Sequence, residues 1–335
     1  MLMPVLYLLD QGSTLHKDGE VFTITKDGKV LGKIPAIKVE QVVILGNINL
    51  TTPVIHYLLQ QGIDCVFCSS YGKFHGRLIS TESKFGLLRQ RQVEFILQSG
   101  KKLAMAKAFV QGKLQNQRTM VMRYRRELDL PQLDKTVAEL ERAIDKLKDC
   151  TDLALLRGVE GAASAGYYRS FKGILKQDLG FSSRVRRPPT DPVNSLLSFG
   201  YTLLVYAIQS AVHTVGLDPF IGFLHSVEPS RPSLVLDLME EFRPIIVDSL
   251  VLWLINSKVM TEQDFKRPEE GKMVILTEEA IKKFIYHYEL RLQTQIYHRR
   301  AQGRVAYRRC FELQARELAQ AVLKQEPTYK PFVVR

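Results

Sequence analysis

The chain has 335 residues, of which 45% are apolar, and this composition is typical of a folded protein with one or two hydrophobic cores. Its 47 Lys and Arg outnumber 35 Asp and Glu, so the formal net charge is +12. This excess favours a polyanionic partner, with nucleic acid first and an anionic membrane surface second. Four cysteines are too few to form a disulfide scaffold in a chain of this length.

The first 86 residues predict a β-rich domain. Asp18-Gly19 and Asp27-Gly28 are hairpin turns between short runs such as EVFTI and KVLGKI. A helix is predicted to begin at Thr52-Pro53 and to end at Gly62. The runs IDCVFCS and KFHGRLI, which follow it, are predicted strands.

The thiols and the N-terminus bear on the cellular compartment. Cys65 and Cys68 form a CxxC inside an apolar predicted strand, and no second pair of ligands lies nearby at zinc spacing. Zinc or redox chemistry stays open, but reduced core thiols are the favoured reading. The first residues lack the basic region and long apolar core of a signal peptide, so the cytoplasm is the expected compartment.

From residue 87 onward the chain predicts long, charged helices, which makes an α+β class with a larger all-α second domain. Residues 192–217 carry no charge and could span a membrane by length. Polar residues are scattered through this stretch, among them Gln209 and His213. They favour a helix buried in the protein, and no membrane partner is expected.

Basic residues are concentrated towards the C-terminus, where residues 281–335 hold 12 Lys and Arg against four Glu. Arg300, Arg304 and Arg308 are spaced four residues apart, which predicts one face of a helix. Such a stripe suits the neutralisation of DNA phosphates, although a solvated face has the same pattern.

An irregular basic segment spans residues 182–194, with the sequence SSRVRRPPTDPVN. Its Arg184, Arg186 and Arg187 precede the uncharged helix. A loop of this kind could contact a phosphate backbone, or it could be a surface connection whose arginines face water.

Two residues in unusual surroundings are candidates for chemistry. Glu160 lies among glycines and alanines in LLRGVEGAASAGYY, and small residues predict close helix packing around it. A carboxylate there needs a cation, hydrogen bonds or an exposed edge, and Arg157 or Arg169 could pair with it. His225 follows the apolar run FIGFL and is either a ligand or a core histidine.

A third candidate is the acidic segment LVLDLMEEF. Asp237, Glu240 and Glu241 can share a helical face, and they are either an exposed acidic surface or metal-bound. With His225 they provide oxygen and nitrogen donors, which suit Mg²⁺ or Mn²⁺ better than structural zinc. Carboxylates for a metal on a strongly basic protein suit the hydrolysis or transfer of phosphodiesters. The absence of a GxxxxGK[ST] sequence argues against a helicase or kinase.

These motifs, taken in order, resemble the CRISPR-associated Cas1 family over nearly the whole chain. The segments that carry the resemblance are TTPVIHYLLQQGIDCVF, RGVEGAASAGYY, RRPPTDPVNSLLSFGY, IGFLHSVEPSRPSLVLDLMEEFRP and QARELAQAVL…YKPF. The resemblance implies a β-sandwich-like dimerisation domain, residues 1–86, and a helical catalytic and DNA-binding domain, residues 87–335.

The resemblance also implies which residues act. Glu160, His225 and Glu240 would be the catalytic metal ligands, and Asp237 a supporting acid. Arg77 is a weaker candidate for DNA contact, as are the arginines of residues 182–194 and of the C-terminal stripe.

The implied activity is that of a metal-dependent DNA endonuclease and integrase. The 3′-OH of a short double-stranded DNA fragment would attack a phosphodiester at the end of a CRISPR repeat. Two dimers of the chain would flank a dimer of the small Cas2 protein in a heterohexamer. The alternatives are a structure-selective nuclease acting on branched DNA or RNA, and a non-catalytic DNA-binding assembly protein.

Overall fold

The computed structural model describes residues 5–80, 85–268 and 273–334. The chain divides into two compact units, Met1–Ser83 and Lys84–Arg335. The first unit is rich in strands and the second is mostly helical, which confirms the predicted α+β class.

In its described residues, 5–80, the first unit contains two four-stranded sheets, one α-helix and a 3₁₀ turn at Ala36–Lys38. The strands are β1 Val5–Leu8, β2 Thr14–Asp18, β3 Val21–Lys26, β4 Lys29–Pro35, β5 Gln41–Leu45, β6 Asn49–Leu50, β7 Asp64–Cys68 and β8 Phe74–Leu78, and the helix is α1 Thr52–Gln61. The strand orders are β1-β5-β7-β8 and β4-β3-β2-β6. Buried residues of both sheets and of α1, among them Phe22, Val42 and Leu58, share one core.

Turn residues of the sequence account for the local structure of this unit. Asp27 and Gly28 have φ angles of 49° and 74°, the left-handed values that a tight hairpin between β3 and β4 requires. Gly62 ends α1 in the left-handed conformation, with φ 66°. Cys65 and Cys68 are buried in β7, which agrees with the interpretation of both as core thiols.

Nine helices form most of the second unit in its described part. They are α2 Gly86–Leu97, α3 Ser99–Glu127, α4 Asp134–Lys146, α5 Leu153–Ile174, α6 Pro192–Val215, α7 Ser233–Met239, α8 Ser249–Asn256, α9 Glu278–Gln293 and α10 Tyr307–Lys324. A π-helical turn, Arg243–Asp248, joins α7 to α8. Two short antiparallel pairs are also present: β9 Phe265–Lys266 with β10 Ile275–Leu276, and β11 Gln295–His298 with β12 Gly303–Ala306.

The uncharged helix α6 lies in the core of the second unit. Within the described ranges it is the one helix that is long and apolar enough to cross a membrane, but 78% of its most apolar window is buried inside the protein. Asp191 caps its N-terminus by accepting a hydrogen bond from the backbone N–H of Asn194 at 2.9 Å. The prediction of a buried helix is therefore confirmed.

The expectation that three C-terminal arginines share a helical face was wrong. Residues 295–306 form the β11–β12 hairpin, because alternating polar and apolar residues flank a turn in which Gln302 has φ 50°. Arg300 lies in that turn, Arg304 lies on β12, and Arg308 lies in the first turn of α10. The three side chains therefore belong to three different elements.

Candidate active site

Glu160, His225 and Glu240 line one cavity of about 330 Å³ in the second unit. Glu160 projects from α5, His225 lies in the loop between α6 and α7, and Glu240 directly follows the last residue of α7. The remaining lining residues are Lys113, Arg157, Arg186, Leu224, Ser226, Arg231 and Arg243. Five cationic side chains thus surround two carboxylates and an imidazole, so the wall as a whole is positive.

Asp237 orients His225. Its carboxylate is fully buried and accepts a hydrogen bond from Nδ1 of His225 at 2.6 Å. It also accepts from the backbone N–H groups of Phe223, Leu224 and His225 at 2.5, 3.0 and 2.9 Å. Because Asp237 engages Nδ1, Nε2 is the ring nitrogen left to bind a cation.

Arg157 supports the same loop from α5. Its guanidinium donates to the carbonyl oxygen of Leu224 through Nε at 3.0 Å and to Oγ of Ser226 through Nη2 at 3.3 Å. The loop that carries His225 is therefore fixed from two sides, by a buried carboxylate and by an arginine.

Glu240 is a buried carboxylate held by two cations. Its Oε2 lies 2.8 Å from Nζ of Lys113, and its Oε1 lies 3.3 Å from Nη2 of Arg243. Burial alone would raise the pKa of Glu240, but Arg243 and Lys113, with a smaller contribution from His225, outweigh it and lower the pKa to about 2. Glu240 is therefore ionised at neutral pH.

Glu160 is joined to the same lysine. Its Oε1 accepts hydrogen bonds from Nζ of Lys113 and from Oγ of Ser164, the latter at 3.0 Å. The expected partners Arg157 and Arg169 instead bind the Leu224 carbonyl and Glu139.

The small residues around Glu160 divide between two sides of α5: Ala163 and Gly166 are buried, and Gly166 lies close to Glu139 of α4, whereas the others are exposed. Gly158, Gly161, Ala162 and Ala165 are exposed, so the predicted close helix approach was wrong on this side of α5. Without large side chains, this face of the helix leaves Glu160 partly accessible, with 22% of its side chain exposed.

The three acids of the α7 segment do not form an exposed acidic surface. Asp237 and Glu241 are fully buried and Glu240 is 3% exposed, and each contacts a different part of the protein. Glu241 accepts hydrogen bonds from the hydroxyl of Tyr329 and the amide of Gln314, and burial raises its pKa to about 8. Glu240 keeps helical backbone angles, and adjacent residues on such a backbone project about 100° apart, so Glu240 and Glu241 face different neighbours.

The donors at this cavity have the chemistry of a Mg²⁺ or Mn²⁺ site. Carboxylate oxygens and one imidazole nitrogen are available, and the buried Oε2 of Glu240 accepts no well-aligned hydrogen bond. Yet among the described residues no three acidic, His or Cys side chains stand close enough together to hold an ion. The positive charge that the carboxylate pair requires is supplied by Lys113.

The three candidate DNA-contacting arginines of residues 182–194 differ in exposure and in their contacts. Arg186 and Arg187 are exposed, and Arg186 also lines the cavity. Arg184 binds Asn194 and Ser198 of α6 at 2.9 and 3.1 Å, and so anchors its own loop.

The other four arginines that were predicted to contact DNA interact with other residues of the protein. In the first unit Arg77 has 5% of its side chain exposed and lies 3.2 Å from Asp64. Arg308 binds Glu289 through two hydrogen bonds of 2.6 and 2.7 Å. Arg300 and Arg304 are exposed, and they donate to Gln320 and to the carbonyl oxygen of Gln295.

Sequence reasoning missed Lys113 and Arg243, the two cations that neutralise the site. The available signal was position: Lys113 lies on the buried side of α3, beside Phe109, Val110 and Leu114. A lysine on an apolar helix face requires a buried partner of opposite charge.

Comparison with known proteins agrees with this architecture. The family described as CRISPR associated protein Cas1 matches residues 6–290. A CRISPR-associated endonuclease Cas1 of Thermus thermophilus is 39% identical over 333 residues, covering 99% of this chain and 97% of that relative. A Cas1 endonuclease of Moorella thermoacetica is 35% identical, covering 100% and 99%.

Two solved structures share the fold. A casposase bound to an integration product has a TM-score of 0.83 at 25% identity and covers 97% of this chain and 92% of its own. A Cas1 protein of Thermotoga maritima has a TM-score of 0.81 at 25% identity, covering 99% of each chain. The family match over most of the chain and the full-length relatives show that this protein belongs to the Cas1 family.

Proposed function

We propose that this protein is a metal-dependent DNA endonuclease and integrase of CRISPR adaptation, which inserts short DNA fragments into a CRISPR array. The observation that carries the proposal is the convergence of Glu160, His225 and Glu240, from three separate segments, on one cavity with a positive wall. Relatives named Cas1 endonucleases, and a casposase of the same fold bound to an integration product, support the same chemistry.

The proposed ligands of Mg²⁺ or Mn²⁺ are Glu160, Glu240 and Nε2 of His225. When bound, the ion would stabilise the negative charge that develops on the phosphate oxygens during attack by a DNA 3′-OH. Asp237 keeps the proton of His225 on Nδ1, so that Nε2 presents a lone pair to the cavity. Arg243 and Lys113 keep Glu240 ionised, which is the form in which a carboxylate binds a divalent cation.

The cationic wall would bind the DNA backbone. Arg186 is exposed and lines the cavity, and Arg231 lines the same cavity. Their guanidinium groups can pair with phosphate oxygens and place a phosphodiester against the two carboxylates, which would otherwise repel it.

The partners are proposed because the protein belongs to the Cas1 family. These are double-stranded DNA as fragment and as CRISPR repeat, a second copy of this chain bound through the first unit, and the small Cas2 protein. Two dimers flanking one Cas2 dimer would set the spacing between the two attacking 3′ ends.

Strand transfer tests the proposal. Purified protein, with and without Cas2, is incubated with Mn²⁺, a short labelled duplex and a repeat-bearing plasmid, and Glu160→Gln is compared with Glu141→Gln. Glu141 is a surface carboxylate paired with Arg118, so its variant controls for the loss of charge. We expect joining that requires a free 3′-OH, that survives in Glu141→Gln and that is lost in Glu160→Gln.

Two other outcomes of this experiment would favour the two alternative functions. Cleavage without joining, lost in Glu160→Gln, would favour a structure-selective nuclease acting on branched DNA or RNA. Tight DNA binding with neither activity, in the presence of Cas2 and Mn²⁺, would favour a non-catalytic assembly protein.

A further inference from the structure

Lys113 bridges the two carboxylates of the proposed metal site. Its side chain is 5% exposed, and Nζ contacts Oε1 of Glu160 and lies 2.8 Å from Oε2 of Glu240. One ammonium thus joins a carboxylate on α5 to a carboxylate at the end of α7, reaching both from α3.

Two buried or partly buried carboxylates on one cavity repel each other, and a nearby cation must offset that repulsion for the site to stay assembled. Lys113 supplies this charge at the oxygens that a divalent ion would use. Since one ammonium and one metal ion cannot occupy the same position, binding of either must weaken binding of the other.

Arg243 is the second cation at the site, but it is held differently. Its guanidinium stacks over the ring of Tyr201 at 4.9 Å and pairs with the other oxygen of Glu240, Oε1, at 3.3 Å. The lysine ends in a compact ammonium on a flexible four-carbon stem. Of the two cations, Lys113 is therefore the one that contacts both carboxylates and is able to move away from them.

We infer that Lys113 is the resident counter-cation of the Glu160–Glu240 pair, which holds the pair together in the absence of a divalent ion and is displaced when the ion binds. This inference rests on the proposed function, because it takes the Glu160 cavity to be the metal site. Displaced from the carboxylates, the ammonium still belongs to the cavity wall and is available to a phosphate oxygen.

Replacement of Lys113 should therefore have two opposite effects, which replacement of a purely structural lysine would not have. Removal of the ammonium should destabilise the metal-free protein, because two carboxylates lose their shared partner. The same removal should strengthen Mn²⁺ binding, because a competing positive charge is gone. A lysine that only positions the carboxylates for the ion would weaken Mn²⁺ binding when it is removed.

The test is Mn²⁺ titration by calorimetry of the full-length protein without DNA, together with thermal unfolding in EDTA and in Mn²⁺. The variants are Lys113→Gln and Lys113→Met. The control is Lys107→Gln, which removes a lysine of the same helix that binds the carbonyl oxygen of Lys148 at the surface. We expect Mn²⁺ affinity to rise on the order of ten-fold in both Lys113 variants. We also expect Mn²⁺ to raise their melting temperature more than that of the wild type, whereas Lys107→Gln stays unchanged.

Unchanged or weaker Mn²⁺ binding in the Lys113 variants, with binding to the wild type that depends on Glu160, would overturn this inference and leave the proposed function standing. Equal titrations of the wild type and Glu160→Gln, with no bound Mn²⁺, would overturn the metal site itself. Should the Lys113 variants fail to fold, a crystal structure of the wild type with Mn²⁺ decides the question. Nζ beyond 4 Å from at least one carboxylate supports displacement, and a retained bridge refutes it.

Discussion

Replacement of Asp237 by Asn tests whether this buried carboxylate sets the chemistry of His225. The carboxylate accepts four hydrogen bonds, two on Oδ1 from His225 and two on Oδ2 from the amides of Phe223 and Leu224. An asparagine side chain of nearly the same shape retains one oxygen and presents an NH₂ group in place of the other. Two of the four donors therefore lose their acceptor in either orientation of the amide.

The expected effect on metal binding follows from the tautomer. If the NH₂ group faces His225, the ring must accept at Nδ1 and carry its proton on Nε2, which removes the lone pair that would bind the ion. Loss of such an orienting partner typically lowers metal affinity about 10- to 100-fold. Each buried donor left without a partner costs about 1–3 kcal/mol, so the free energy of unfolding should also fall.

Calorimetric titration with Mn²⁺, urea unfolding and strand transfer would measure these effects on one protein preparation. Asp264→Asn is a matched control, since Asp264 is a buried carboxylate that accepts from the backbone N–H of Thr261 at 2.9 Å in another part of the second unit. That variant should lose stability but keep its Mn²⁺ affinity. Mn²⁺ affinity and strand transfer equal to the wild type in Asp237→Asn would refute the positioning role.

Two further predictions concern the pH dependence of stability and the binding of DNA. Burial raises the pKa of Glu241 from an ordinary 4.5 to about 8, so its stabilising protonated form is fully populated below the unfolded pKa and is lost as pH rises through about 8. Glu241→Gln should therefore flatten the fall in unfolding free energy between about pH 5 and 8 in urea titrations, and an unchanged slope would contradict the raised pKa. Arg186→Ala should weaken DNA binding and lower the slope of log affinity against log salt by about one. Arg308→Ala, which removes an arginine paired with Glu289, should leave that slope unchanged, and equal slopes for all three proteins would place Arg186 outside the DNA contact.

Local sequence signals were sufficient for much of the fold. Asp27-Gly28 predicted a hairpin because few other residue pairs can both adopt the left-handed backbone conformation. Thr52-Pro53 and Gly62 marked the two ends of α1. The polar residues scattered through residues 192–215 indicated a core helix. Each of these features depends on residues close together in the chain, so it could be predicted without knowledge of the tertiary contacts.

Local pattern was misleading where the backbone changed direction. Four-residue spacing suggested a helical stripe of Arg300, Arg304 and Arg308, but the pairing of β11 with β12 placed the first two on a hairpin. Strand pairing depends on contacts that the spacing of charged residues does not encode, so the sequence pattern alone could not distinguish this hairpin from a helix. By contrast, the three-residue spacing of Asp237 and Glu240 was informative, because Asp237 binds His225, which lines the same cavity as Glu240.

By itself, the sequence indicated the fold class and the family resemblance, and through that resemblance three of the residues that line the cavity, Glu160, His225 and Glu240. Only the tertiary structure decided what each charged group does. It assigned Asp237 to the imidazole, Glu241 to the C-terminal segment through Tyr329, and Lys113 to the space between Glu160 and Glu240. The physical reason is that a buried charge is defined by its partners, and these partners come from helices far apart in the chain, so their pairing exists only once those helices have packed.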